Sequence, residues 1–123
     1  MRASIRIVAP HWMVLIMDLG AGGEMPSTMG GKSIVATSTC LAVSTVGPPD
    51  GELQLSLGRY RAGELAEEPV CDHVLETPGR RIGVFTTDLQ SMLECRVDGP
   101  ETRVRVWTNH PQEPDVVLVA VGG

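Results

Sequence analysis

The residues of this chain that could do chemistry are three histidines, three cysteines and fifteen carboxylates. The histidines are scattered, at His11, His73 and His110. A Ser-His-Asp or Cys-His arrangement assembles in space, so the scatter alone does not remove that chemistry. However, no G-x-S-x-G pattern marks an exposed nucleophile. We therefore expect the histidines to be structural and the protein not to be an enzyme.

The cysteines, Cys40, Cys71 and Cys95, are odd in number and widely spaced, and none lies in a C-x-x-C pair. Zinc ligands usually come in closely spaced pairs, so Cys71-Asp72-His73 is a poor match to a zinc site. The pattern favours buried, reduced thiols in a cytoplasmic protein. We predict neither a metal nor a cofactor.

Residues 26–33 read P-S-T-M-G-G-K-S and partly match a phosphate-binding loop. That loop requires G-x-x-x-x-G-K-[ST] followed by a helix, whose first amides bind the phosphates. Here Pro26 replaces the first glycine, and Ser33 leads into a β-branched run that is typical of a strand. We expect the glycine-rich segment 20–33 to be a mobile surface loop without nucleotide chemistry.

Carboxylates concentrate in residues 63–77, which contain five acidic residues and no basic one. A solvated loop would account for them, and a docking patch for a basic protein partner is the functional alternative. The spacing lacks the D-x-D-x-D-G form of a calcium loop. The candidate partner-binding residues are Glu64, Glu67, Glu68 and Asp72, with Tyr60 as an aromatic anchor. Trp107 is a second possible aromatic anchor, although a position in the core suits it better.

Composition limits the class of protein. The chain has 123 residues, which is enough for one domain, 1–123, with its own core. The net charge of −5 argues against direct binding of nucleic acid, which requires a basic face. Pro10, His11 and Asp18 interrupt the apolar N-terminal segment, and no apolar run is long enough to span a membrane. We predict a cytoplasmic location.

The elements that must position these residues are short strands. Residues 102–107 alternate between polar and apolar, which predicts a strand with one wet face. Residues 116–121 are apolar almost throughout, as expected of a strand that is covered on both faces. Prolines between these two runs indicate a hairpin or a crossing between sheets.

Similar runs recur along the chain and predict an all-β fold of about eight to ten short strands. At most one short helix is expected, near residues 87–93, with Asp88 as its N-cap. A two-sheet antiparallel β-sandwich fits this pattern, with a barrel as the alternative.

The order of these segments resembles the competence protein J family, small β-sandwich proteins that inhibit a partner DNA-entry nuclease. The matching segments are a His-Trp start to an apolar strand at 11–15, an alternating strand at 52–57, a strand–turn–strand unit at 70–86, a strand ending in Trp-Thr at 102–108, and an apolar strand after an acidic loop at 115–121.

The resemblance implies a non-enzymatic, acidic inhibitor or immunity-like protein that covers a basic nuclease surface. A structural or assembly subunit of a virion or other particle is the alternative. In that case the glycine-rich segment 20–31 and the apolar N-terminal strands would pair with a neighbour's sheet edge, which leaves a homo-oligomer open.

Overall fold

The computed structural model describes residues 2–21, 26, 29–61, 64–65 and 67–122, and within them ten strands and three single 3₁₀ turns. The strands are β1 (Arg2–Ile7), β2 (Met13–Met17), β3 (Ile34–Ala36), β4 (Cys40–Ser44), β5 (Leu53–Arg59), β6 (Cys71–Glu76), β7 (Arg81–Phe85), β8 (Ser91–Arg96), β9 (Glu101–Thr108) and β10 (Val116–Val121). The turns are Pro10–Trp12, Leu19–Ala21 and Pro48–Asp50.

The strands form two five-stranded sheets. Sheet A has the order β1-β5-β10-β9-β6 and sheet B the order β3-β4-β2-β7-β8. Every pair is antiparallel except β5 with β10, which run parallel. The predicted all-β, two-sheet and mostly antiparallel fold is confirmed, and β9 and β10 form the predicted hairpin within sheet A.

The larger of two hydrophobic clusters lies between the sheets, and the smaller one comprises residues on the other face of sheet B, namely Leu15, Met17, Cys40, Ala42 and Phe85. Leu53, Leu55 and Leu57 of β5 are at most 2% exposed, and the residues between them face outward. They pack in the same cluster as Val14 and Ile16 of β2, in the opposite sheet. This alternation is the one that the sequence predicts for β5, because a single face of the strand enters the core.

Strand β10 departs from its prediction. Val117, Val119 and Val121 enter the core, but Val116 is 38% exposed and Leu118 is only half-buried. The outer face of this strand is therefore apolar without being fully covered. An apolar run alone cannot distinguish a strand covered on both faces from a strand that presents an apolar surface.

The predicted helix near residues 87–93 does not form. The chain turns at 86–90 and enters β8 at Ser91, with Leu89 in the left-handed region (φ 65°). The turn is closed by hydrogen bonds from the Leu89 amide to the Thr86 carbonyl and from the Thr86 amide to the Gln90 carbonyl. Pairing with β7 provides a longer hydrogen-bond ladder than two helical turns would, and short isolated helices are marginal.

The N-terminal strands differ in their freedom to pair with a neighbour. Strand β2 lies between β4 and β7, so both of its edges are occupied, whereas β1 is an edge strand of sheet A. The assembly hypothesis therefore keeps only β1 among the N-terminal strands. Ser33 leads directly into β3, as predicted, and residues 22–25, 27 and 28 of the glycine-rich segment lie outside the described residues.

The connection from β5 to β6 must cross two strands. Strand β5 is parallel to β10, and β6 and β10 are both antiparallel to β9, so β5 and β6 point the same way. The described residues among 60–70 therefore belong to a connection that returns along the length of the sheet past β10 and β9. We call residues 60–70 the crossover segment; of these residues, 62, 63 and 66 lie outside the described part of the chain.

Candidate partner-binding face

The outer face of sheet A presents side chains that point away from the core. Val104 and Val106 of β9 are fully buried, so Arg103, Arg105 and Trp107 project from the opposite side of this strand. In the register of the sheet, Arg105 lies opposite Asp72 of β6 and Trp107 lies opposite Leu118 of β10.

Two of these outer side chains, together with Arg2 of β1, hold the crossover segment. Arg105 donates from Nη2 to the Tyr60 carbonyl at 2.7 Å, and the indole Nε1 of Trp107 donates to the Glu67 carbonyl at 2.9 Å. Arg2 of β1 forms an ion pair with Glu64. The crossover segment therefore runs over the outer face of sheet A and places the predicted acidic residues there.

Two of the predicted carboxylates are used within the molecule. Asp72 accepts two hydrogen bonds from Arg103, from Nε to Oδ1 at 2.9 Å and from Nη2 to Oδ2 at 2.6 Å. The hydrogen bond from Arg103 holds the pKa of the Asp72 carboxyl below its ordinary value. Glu64 is paired with Arg2 and also accepts from the Arg61 amide at 3.4 Å. These carboxylates are internal partners rather than free charges.

All four predicted carboxylates are exposed, and Glu67 and Glu68 are the two that have no partner among the described residues. Neither carboxylate forms an ion pair or hydrogen bond with the residues that the structure describes. Glu76 and Glu101 face each other in register at the β6 edge, and both are exposed. Like charges in that arrangement repel each other unless a cation lies between them.

Tyr60 is half-buried, and its ring is already occupied on one face. The Arg2 guanidinium lies 3.9 Å from the ring centroid, in a cation–π contact. The Tyr60 carbonyl accepts the hydrogen bond from Arg105. Tyr60 thus anchors the start of the crossover segment on sheet A.

Beside the exposed carboxylates lies an apolar groove of about 640 Å³. Leu65, Trp107, Val116 and Leu118 supply its apolar lining, and Glu67 and Asn109 lie at its edge. Trp107 is half-buried on this outer face, not in the core. Sequence reasoning missed Leu65 and Leu118; the signal for Leu118 was its place on the face of β10 that alternation would leave polar.

The three histidines do not meet. His11 Nδ1 shares a hydrogen bond with Thr87 Oγ1 at 2.7 Å, and His73 Nε2 bonds to the Thr37 carbonyl at 2.8 Å. His110 Nδ1 accepts the amides of Gln112 and Glu113. Each histidine ties down local backbone or a neighbouring turn.

The cysteine positions form no metal site within the described residues, where no three His, Cys, Asp or Glu side chains converge. Strand alternation separates Cys71 and His73 from Asp72, which faces Arg103 on the outer side. All three cysteines are free thiols. Cys40 is fully buried, and burial raises its pKa to about 11.

No protein-family model matches the sequence, and no curated protein matches it significantly. Two solved structures are similar to this chain in fold. One is ComJ, inhibitor of the DNA degrading activity of NucA, from Bacillus subtilis, with a TM-score of 0.66, 6% identity, and coverage of 98% of this chain and 95% of that one. The other is described as crocagin biosynthetic gene J, with a TM-score of 0.60, 13% identity, and coverage of 99% and 96%.

These likenesses confirm the predicted resemblance to the competence protein J family at the level of the fold. They extend over nearly the whole of both chains, so the match includes both sheets. Within the described residues, no helix is long and apolar enough to cross a membrane.

Proposed function

We propose that this chain is a non-enzymatic interaction protein that binds a basic protein partner, and that the partner is a nuclease. The observation that carries the proposal is the apolar groove on the outer face of sheet A, with Glu67 in its lining and the equally unpaired Glu68 next to it in the chain. Apolar contacts at the centre of an interface supply most of its energy, while charges at its rim select and steer the partner.

The five predicted binding residues divide into two roles in this proposal. Glu67 and Glu68 contact the partner. Glu64 and Tyr60 position the crossover segment through Arg2 and Arg105, and Asp72 joins β6 to β9 through Arg103. Their replacement is expected to affect binding through the shape of the face.

The choice of a nuclease rests on the likeness to ComJ, inhibitor of the DNA degrading activity of NucA, and on charge. A chain with a net charge of −5 is suited to a basic partner, and many enzymes that bind DNA carry a basic surface. We further propose that the protein acts in the cytoplasm, where its three free thiols would stay reduced.

The test uses the intact chain. The immobilised chain is exposed to a lysate of its source organism, the captured protein is identified and purified, and DNA degradation by that protein is measured with and without the chain. We expect a basic nuclease whose activity falls to background at equimolar chain. A purified partner that degrades no DNA would contradict the nuclease assignment.

A charge-reversal pair locates the face. The double variant Glu67→Lys/Glu68→Lys is expected to weaken binding about tenfold or more, because it places two positive charges against a basic surface. The control Glu94→Lys/Glu101→Lys changes the net charge equally, at exposed residues on β8 and at the end of β9 far from the groove. Equal affinities of the two variants would remove the crossover segment from the interface.

The assembly role remains the second candidate, and one observation favours it. The edge strand β6 and the residue before it expose Val74 at 49% and Val70 at 56%, and exposed apolar edges can pair between copies. Native mass spectrometry separates the two roles. A high-order symmetric oligomer supports assembly, and a monomer or dimer supports inhibition.

A further inference from the structure

The turn before β2 holds two consecutive residues in a conformation that side chains rarely adopt. His11 and Trp12 have φ angles of 59° and 56°, in the left-handed region. Such strain persists only where neighbouring contacts impose it, and it is often found at functional sites. Here the Thr45 amide donates to the Trp12 carbonyl at 3.0 Å, and His11 is bonded to Thr87.

Gly47 provides the surface on which the Trp12 ring lies. A Cβ atom added at Gly47 would come within 2.1 Å of the indole Nε1 and 2.2 Å of Cε2. Gly47 itself has φ −104°, which any residue can adopt. The glycine is therefore required by the position of the indole ring and not by its own backbone.

Trp12 is nevertheless 46% exposed. Its indole N–H group has no hydrogen-bond partner among the residues that the structure describes. Leu89 lies at the same end of the sandwich, because β7 ends where the antiparallel β2 begins. Leu89 is 46% exposed, and Val8, which follows β1, is 50% exposed. We call the loops 8–12, 47–52 and 86–90 at this end the tip.

The charges of the tip have one sign. Its three carboxylates, Asp50, Glu52 and Asp88, are exposed and form no ion pair with described residues. The three loops contain no lysine or arginine. A basic protein surface complements this arrangement of an apolar centre and an acidic surround.

The tip is continuous with the face already described. The residues on either side of the 47–52 loop contact the loop between β9 and β10: the Val46 amide donates to the Pro114 carbonyl at 3.0 Å and the Gln54 amide to the Asp115 carbonyl at 2.8 Å. Both acceptors belong to the β9–β10 loop, which begins at Asn109 on the edge of the apolar groove. One partner surface can therefore cover the tip and the groove together.

We infer that the exposed indole of Trp12, held on Gly47 by strained backbone, is the main anchor by which this protein enters an apolar pocket of its basic partner. This inference rests on the proposed function, because it assumes that the chain binds the same basic protein partner. Tryptophan is enriched among the few residues that dominate binding energy, and a rigid ring loses little conformational entropy on binding.

The test compares three variants in binding to the purified partner that the intact chain captures. Trp12→Ala removes the indole ring. Gly47→Ala keeps the ring but displaces it, because the added Cβ would overlap the position that the indole occupies. Both are expected to raise Kd about thirtyfold or more. The matched control is Leu19→Ala, which removes a side chain that is 50% exposed beyond the other end of β2 and should bind like the wild type.

A spectroscopic readout separates contact from loss of fold. Trp12→Phe keeps an aromatic ring on Gly47, so the difference between wild-type and Trp12→Phe emission isolates the Trp12 fluorescence. We expect this emission to shift to the blue when the partner is added, because the indole leaves water. Circular dichroism and thermal melts of each variant confirm that it is folded.

The outcomes distinguish the inference from the proposed function. Wild-type affinity in folded Trp12→Ala and Gly47→Ala, with no shift in emission, overturns the inference and leaves the proposed function intact. A partner that depends on Trp12 but degrades no DNA overturns the nuclease assignment and supports the inference. A chain that captures no protein contradicts both.

Discussion

Asp72 shows how the position of one side chain redefines a predicted site. In the sequence it is one of five carboxylates within residues 63–77, a stretch that contains no lysine or arginine. In the structure it forms an ion pair with Arg103 through two hydrogen bonds. Strand β9 supplies the arginine 31 residues later, so a local count of charges could not detect the pairing. Glu64 likewise pairs with a distant residue, Arg2 of the first strand, through one contact.

The Asp72–Arg103 pair predicts a pH dependence of stability. The folded-state pKa of Asp72 is depressed, so the pair stabilises the fold above the unfolded-state pKa of about 3.9 and this contribution disappears as the pH falls through the folded-state value. Because both side chains are about 40% exposed, Asp72→Asn should cost only about 0.2–1 kcal/mol at pH 7.

Urea unfolding of Asp72→Asn and the wild type from pH 7 to pH 2 measures this contribution. The difference in unfolding free energy should shrink toward acidic pH. Asp50→Asn is the control, because Asp50 is exposed and forms no ion pair with described residues. A difference for Asp72→Asn that grows toward acidic pH would show that the sign is wrong.

Cys40 gives a second prediction at the scale of one residue. Its thiol is fully buried and has a pKa raised to about 11, so at pH 8 only about one molecule in a thousand carries the reactive thiolate. We expect Cys40 to resist iodoacetamide in the folded protein and to react promptly in denaturant. Peptide mass spectrometry after timed labelling makes the comparison, and equal labelling in both states would contradict the burial.

Among the elements, predictability followed the reach of the interaction that forms each one. Strands β5 and β9 were read correctly, because alternation records which face of a strand meets the core. The helix predicted at 87–93 is wrong, because the spacing of its apolar residues reports only on neighbours in the chain. The structure of this segment depends instead on the pairing of β8 with β7. The outer face of β10 was misread because burial depends on what lies over the strand.

The crossover segment depends on contacts still further apart. Its position is determined by Arg105 and Trp107, which follow their partners Tyr60 and Glu67 by 45 and 40 residues. The sequence shows which residues of the segment are acidic, but it does not indicate over which sheet they lie. That part of the candidate site could be found only from the fold.

Arg105 is therefore the residue with which to test the crossover segment as an element. Arg105→Leu removes the charged donor to the Tyr60 carbonyl from a site that is 5% exposed, and should lower the unfolding free energy by about 1.5–3 kcal/mol. Partner binding should weaken as well, because Leu65 and Glu67 lose their placement beside the groove.

The matched control for this variant is Arg6→Leu. Arg6 is exposed on β1 and forms no ion pair with described residues, so the change in its unfolding free energy should stay within about 0.5 kcal/mol. Denaturant melts of both variants test the pair. Equal effects would mean that Arg105 does not hold the crossover segment.

At the scale of the whole molecule, charge and apolar surface are expected to act on different rates of partner binding. The net charge of −5 acts over a Debye length, so it should raise the association rate with a basic partner and lose its effect as salt screens it. The apolar anchors act only after contact, so they should set the dissociation rate.

Thus Glu67→Lys/Glu68→Lys should slow association and flatten its dependence on salt, while Trp12→Ala should mainly accelerate dissociation. Surface plasmon resonance from about 50 to 500 mM salt separates the two, and an association rate of the wild type that does not change over this range would contradict electrostatic steering.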